Sequence, residues 1–301
     1  MRPYPCLVTG DLRKPRNLLG APAVRAGEAA AAAAEVEAAL AVSDPEAAAF
    51  FDIDNTFVRG ASIFYLARGL ARRGFFTKRD VMRFLEQQVR FRIAGHEDAD
   101  DMASATDAAL GFVAGHEVDE VVRLGEEIFQ ETIVDKLYPG TLALSQQHLD
   151  EGQRVYLVSA APVELARIIA TNVGLTGALG TVSEIEGGRY TGKLVGSPLH
   201  GPAKAEAVRA LAAREGLDLA RCSAYSDSSN DIPMLTIVGH PVAVNPDHGL
   251  RSHARAMGWE VRDFRRGRRA VKVGVPTAVV IGILVGVAVG VAAEHKRRGA
   301  P

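Results

Sequence analysis

Between residues 45 and 261 short apolar runs alternate with longer segments whose apolar residues recur at helical spacing. The runs "AAAFFDID" (47–54), "RVYLVSA" (154–160), "RCSAYSD" (221–227) and "HPVAVNP" (240–246) are too short for stable helices, and each halts at polar residues, so they predict buried strands. "PGTLALSQQHLDEG" (139–152), "PVELARIIATNVG" (162–174) and "PAKAEAVRALAAREG" (202–216) predict helices, with Pro162 suited to a helix start. "TVSEIEGGRYTGKLVG" (181–196) alternates about Gly187-Gly188 and predicts a hairpin. Strands and helices taking turns predict an α/β fold, a parallel sheet with helices on its faces. From 62 to about 135 strand signal almost vanishes. "SIFYLARGLARRG", "KRDVMRFLEQQVRFRIAG" and "EVDEVVRLGEEIFQETIV" predict a helical insert too long for a connecting loop.

The two ends of the chain follow neither pattern. Residues 1–44, with "AGEAAAAAAEVEAALAV" inside, have few large apolar side chains, and the alanine run favours helix but offers little to bury. They are expected to form a disordered leader, and their start lacks the compact apolar stretch of a secretory signal. Residues 273–293, "VGVPTAVVIGILVGVAVGVAA", are 21 residues without a charge, and as a helix they would span about 30 Å, one bilayer core. A transmembrane helix is therefore expected, with a basic linker before it (263–272) and a short basic tail after it (294–301). Arg262, Arg265, Arg266, Arg268, Arg269 and Lys272 outnumber Lys296, Arg297 and Arg298 beyond, which places the main domain on the cytoplasmic face of the cell membrane. Gly282, Gly286 and Gly290 recur every fourth residue and would give a smooth face for self-association.

Composition changes this picture little. A net charge of −1 gives no global reason to expect a nucleic-acid partner, and Cys6 and Cys222 alone make no disulfide framework and no metal-ligand spacing. His96, His116 and His148 are scattered and expected to be exposed, and Trp259 is expected at the edge of the core.

The chemistry gathers where the strands end. Asp52 and Asp54 lie two residues apart and so point to one side of an extended chain. Ser159 closes the second run, Asp227 the third, and Lys204 opens a helix. In open parallel sheets ligands bind beyond the carboxyl ends of the strands, so these residues are expected on one rim. Carboxylates at close quarters suit Mg²⁺, and a phosphate ester would bridge the metal to the lysine and the serine.

Asp52-Ile53-Asp54-Asn55-Thr56, then Ser159, Lys204 and "SDSSND" (226–231), resemble the four motifs of the haloacid dehalogenase superfamily in order and spacing, and the helical insert at about 60–138 resembles the C1 cap of its phosphoserine phosphatase-like branch. The resemblance covers about residues 46–260, within a phosphatase domain expected over 45–262. It implies a Rossmann-like parallel sheet with a helical cap after the first strand. It also implies a Mg²⁺-dependent phosphomonoesterase acting through an aspartyl-phosphate, on a phosphorylated small molecule or a lipid phosphate. By the same resemblance Asp52 is the nucleophile and Asp54 the general acid and base, while Ser159 and Lys204 bind the phosphoryl oxygens. The Asp52 and Asp227 carboxylates and the Asp54 backbone carbonyl hold the metal, with Asn230 and Asp231 supporting. Two positions depart from the branch: Ala61 stands where a glutamate is usual nine residues after the nucleophile, and Ser159-Ala160-Ala161 replaces Ser-Gly-Gly. Both argue against serine specificity. A regulatory or scaffold protein on the same fold is the reading of another class, and the intact Asp52 and Asp54 argue against it.

Overall fold

The computed structural model describes residues 21–33, 44–75 and 113–265. Six strands form one parallel sheet: β1 (Ala48–Asp52), β2 (Arg154–Pro162), β3 (Gly177–Thr181), β6 (Ser223–Ser226), β7 (His240–Val244) and β8 (Glu260–Arg262), in the order β3-β2-β1-β6-β7-β8. A separate antiparallel hairpin pairs β4 (Ser183–Glu186) with β5 (Arg189–Leu194). Gly187 and Gly188 both take positive φ at its turn, where a Cβ would be strained.

The strands are apolar on both faces because the sheet is covered on both. Along β1, Ala49 and Phe51 face one core, and Ala48 and Phe50 face the other. On the first side lie α2 (Ser62–Arg72), α3 (Val118–Ile128), α4 (Pro139–Asp150) and α5 (Val163–Asn172). Here the Phe51 ring stacks on Tyr225 at 4.2 Å. On the second side lie α1 (Ala21–Ala33), α6 (Pro202–Glu215), α7 (Ile232–Thr236) and α8 (His248–Met257). The helices α2 and α3 sit between β1 and α4 in the chain, where the insert was expected, and α3 runs on into a π-helical turn, Phe129–Ile133.

Several expectations change. The leader was expected to be disordered, yet α1 packs against α6 with Ala26 and Ala30 buried. Gly27 explains how so little side chain suffices: a Cβ there would lie 2.7 Å from Glu206 Cβ and 2.8 Å from the Ala207 backbone nitrogen. Small residues let two helices approach, and close contact replaces bulk. The domain also runs past its expected end at 262. The Phe264 backbone nitrogen donates to Asn245 Oδ1 (2.7 Å), and Arg265 is paired with Asp263 (2.9 Å). His148 is half-buried, its ring bonded to Tyr225 Oη (2.7 Å) and Gln153 Oε1 (2.6 Å), and burial lowers its pKa. His116 is also partly buried and stacks on Phe75 at 4.0 Å. Trp259 packs against the second core as expected.

Among the described residues no helix is long and apolar enough to cross a membrane. The expected span 273–293 with its glycine face (Gly282, Gly286, Gly290), the tail 294–301, the basic residues 266–272, Cys6, His96 and the insert residues 76–112 all lie outside the described residues.

Candidate active site

Six parallel strands put six carboxyl ends on one edge, and the predicted residues gather there. Asp52 ends β1, Ser159 lies in the last part of β2, Asp227 follows β6, and Lys204 sits in the first turn of α6. Their centre is a buried chain of ionic hydrogen bonds. Lys204 Nζ donates to Asp52 Oδ1 (2.5 Å) and to Asp231 Oδ2 (2.8 Å). Asp231 Oδ2 accepts a second bond, from Ser226 Oγ (2.7 Å), which fixes the carboxylate that aims the lysine. Asp52, Lys204 and Asp231 are each about 5% exposed or less, so the bonds are little weakened by water.

Past Asp52 the chain turns sharply. Asn55 takes a left-handed φ of 60°, a conformation asparagine tolerates better than most residues, and its nitrogen donates to Val58 O (2.7 Å). The loop then doubles back until the Ser62 backbone nitrogen, at the start of α2, donates to Asp54 Oδ1 (2.8 Å). One oxygen of Asp54 is thus oriented by the scaffold. Ser159 is buried, and its Oγ accepts from the Ala161 nitrogen (3.0 Å), so its own proton remains to be donated elsewhere. The Asp227 carboxylate is the loosest member, with a long contact from Thr56 Oγ1 (3.5 Å), while its backbone carbonyl accepts from the Asp247 nitrogen (2.7 Å).

Burial is the first cause of the shifts at Asp52, Asp54 and Asp227. It pushes Asp54 upward and carries Asp52 up to about 7 against the pull of Lys204. It carries Asp227 up to about 8, helped by repulsion from Asp52 and Asp231. Burial opposes the Lys204 ammonium, but Asp231 and Asp52 outweigh it and hold it charged, above the ordinary lysine range. One buried cation therefore serves several buried acids, and the unbalanced charge suits a divalent ion. Among the described residues no three His, Cys, Asp or Glu side chains are gathered to hold a metal by themselves. Asp52 and Asp227 are close enough to repel each other, and two carboxylates suit a hard ion that keeps much of its water, as Mg²⁺ does.

Asn230 was expected to support the loop after Asp227. It is exposed, and its hydrogen bond is from its backbone nitrogen to Ser228 Oγ (3.2 Å). Asp247 and Asn245, which the sequence did not flag, organise the site loops instead. Asp247 caps α8 through the Leu250 nitrogen (2.7 Å) and accepts from the Ser229 nitrogen (2.8 Å) and hydroxyl (3.0 Å). Asn245, buried and also left-handed (φ 49°), donates through Nδ2 to Asn55 O (3.2 Å). Their signal was their place just past the strand "HPVAV", on the same edge as Asp52.

Three comparisons bear on this arrangement. The family profile of haloacid dehalogenase-like hydrolases matches residues 49–236. Phosphoserine phosphatase SerB1 of Mycobacterium tuberculosis is 53% identical over 85% of this chain and 83% of its own, and a histidinol-phosphatase of Neisseria meningitidis is 29% identical over 72% and 98%. A crystal structure of a protein of unknown function from Bordetella pertussis superposes with a TM-score of 0.62 at 32% identity, covering 73% of this chain and 99% of that one.

Proposed function

The chain belongs to the haloacid dehalogenase-like hydrolase family, and we propose that it is a phosphatase working through an aspartyl-phosphate on Asp52, with Mg²⁺ as cofactor. The observation that carries this reading is the buried chain from Asp52 through Lys204 to Asp231, beside an Asp54 held by the Ser62 nitrogen.

In this reading an Asp52 carboxylate oxygen attacks phosphorus while the ester P–O bond breaks. Asp54, whose buried carboxyl keeps its proton more readily than an exposed one, gives that proton to the leaving alkoxide. It then takes a proton from the water that attacks the phosphoaspartate, which releases phosphate and restores Asp52. Lys204 and the Ser159 hydroxyl stabilise the phosphoryl oxygens throughout. Mg²⁺, held by Asp52, Asp227 and the Asp54 carbonyl, would neutralise charge on the transferring group. Asp231 aims Lys204.

The substrate is a phosphomonoester. The relatives' names point to phosphoserine and to histidinol phosphate. Ala61, the uncharged residue at the start of α2, offers nothing to an ammonium group, so phosphoserine is expected to hold no large advantage over other phosphomonoesters. The stretch 273–293 favours a second reading, in which the same chemistry is anchored in the membrane and serves a lipid phosphate.

The test is phosphate release across phosphorylated metabolites and lipids, with Mg²⁺ and with excess chelator. Turnover that needs Mg²⁺, with label from substrate trapped on Asp52, is expected. Full activity in chelator would remove the metal, and no turnover of any phosphomonoester would favour the non-catalytic reading.

A further inference from the structure

We propose that Arg59, Tyr138 and Arg265 form a second anion subsite at the mouth of the active site, which reads a negatively charged group of the substrate other than the phosphoryl being transferred. The proposal rests on the phosphomonoesterase reading and adds a substrate class to it.

Arg59 stands in the loop that closes on Asp54, between the Asn55 turn and the Ser62 nitrogen bonded to Asp54. Its strand-like segment pairs antiparallel with the one before α4, through Val58 and Leu137. The Arg59 nitrogen donates to Lys136 O (2.8 Å) and the Tyr138 nitrogen to Phe57 O (2.9 Å), which places Arg59 diagonally across from Tyr138. The third member arrives from the far end of the domain. Beyond β8 the chain is pinned at the same edge: the Phe264 nitrogen bonds Asn245, which bonds Asn55, and the Phe264 ring lies against Gly140 in the first turn of α4. Arg265 follows directly. The Tyr138 phenol, raised in pKa first by burial, feels the charges of Arg265, Arg59, Asp227 and Asp263, and Arg265 in turn feels Asp227. The cluster therefore borders the metal side of the site.

Its charge is not spent within the fold. Arg59 is exposed, and among the described residues its guanidinium donates to the carbonyl of Asp135 (2.7 Å) and pairs with no carboxylate. Arg265 and Arg251 share the single carboxylate of Asp263 (2.9 and 3.0 Å), which leaves a net positive charge on that side too. Two guanidiniums and a phenol hydroxyl offer several donors and suit a carboxylate or a phosphate oxygen. The sequence continues the same sign with Arg266, Arg268, Arg269 and Lys272. The second anion can come from a carboxylate on a small substrate or from the anionic headgroups around a lipid phosphate.

The experiment uses the full chain and the matched pair ethyl phosphate and phosphoglycolate, which differ by one carboxylate. The ratio of kcat/KM, phosphoglycolate over ethyl phosphate, should fall about tenfold in Arg59→Gln and in Arg265→Ala, mainly through KM. Arg265→Lys should recover part of the ratio. An unchanged ratio in both arginine variants would overturn the proposal. Calorimetric binding of phosphonoacetate against ethylphosphonate gives the same comparison without turnover. Selective binding by a protein that hydrolyses nothing would sink the phosphatase reading and keep the subsite. Vesicles containing phosphatidate separate the sources: a salt-sensitive loss there, larger than with phosphoglycolate, assigns the second anion to a lipid surface.

Discussion

Asp52 is held by one strong bond and repelled by three neighbouring carboxylates, Asp231, Asp54 and Asp227, and its replacement separates chemistry from folding. Asp52→Asn takes away the nucleophile of the proposed mechanism, so turnover should fall at least about 10³-fold. Lys204 keeps Asp231 as a partner, so the melting temperature should hold, and a variant with near-normal turnover would end the covalent mechanism. Asp227 shows the cost of gathering acids. Burial and neighbouring acids push its folded pKa up to about 8 from an ordinary 3.8, so between those pH values the folded state keeps a proton that the unfolded state has lost. Stability of the metal-free protein should therefore fall as pH rises from about 4 to 8. Asp227→Asn should blunt that fall and melt a few degrees higher in chelator near pH 8, about 1 kcal/mol, while losing its Mg²⁺-dependent activity. Thermal melts with and without Mg²⁺ across this range check the sign.

At the scale of elements, the Ser159 loop is placed by a close approach between β3 and the start of α5. A Cβ on Gly180 would lie 2.5 Å from Val163 Cα and 3.0 Å from Ala161 O, both backbone atoms that cannot step aside. Gly180→Ala should cost about 1–3 kcal/mol and weaken substrate binding through Ser159, seen as a lower melting temperature with a raised KM. The same small residues explain what the sequence hid. The strands "AAAFFDID", "RVYLVSA", "RCSAYSD" and "HPVAVNP" were legible because large apolar side chains fill two cores. β3, "GALGT", carries little bulk, and β8 is three residues with two charges, so neither gave a pattern. α1 was legible as helix but not as packed, since burial by close approach leaves no large side chains to see. Asp52, Asp54, Asp227 and Lys204 were legible because charged residues directly after apolar runs and at a helix start fall on one edge of a parallel sheet. Asn245 and Asp247 were not, because single polar residues after a strand look like ordinary turn formers.

For the whole molecule, the contacts of the described domain run at least to Arg265. A chain cut after Arg265 should stay active and leave the membrane fraction, whereas one cut after Asp263 loses the Phe264 contacts and should melt lower. The full chain should resist a high-salt wash, since an apolar span is insensitive to screening and a purely electrostatic attachment is not. Release by salt alone would reduce the tail to a peripheral contact.

Because every strand of the main sheet runs the same way, β8 hands the chain to the edge that carries Asp52. Only seven residues, 266–272, separate Arg265 from the apolar stretch, and they reach at most about 25 Å even when extended. That is shorter than the breadth of a domain of this size, about 35–40 Å. In the membrane-anchored reading proposed above, an enzyme moored this way would not turn its opening toward bulk water for long and would meet substrate in two dimensions. On vesicles its rate should then follow the mole fraction of phosphatidate in the bilayer and stay nearly constant when total lipid is diluted with buffer at fixed composition. A rate that instead tracks bulk concentration would mean that the mooring does not set the encounter.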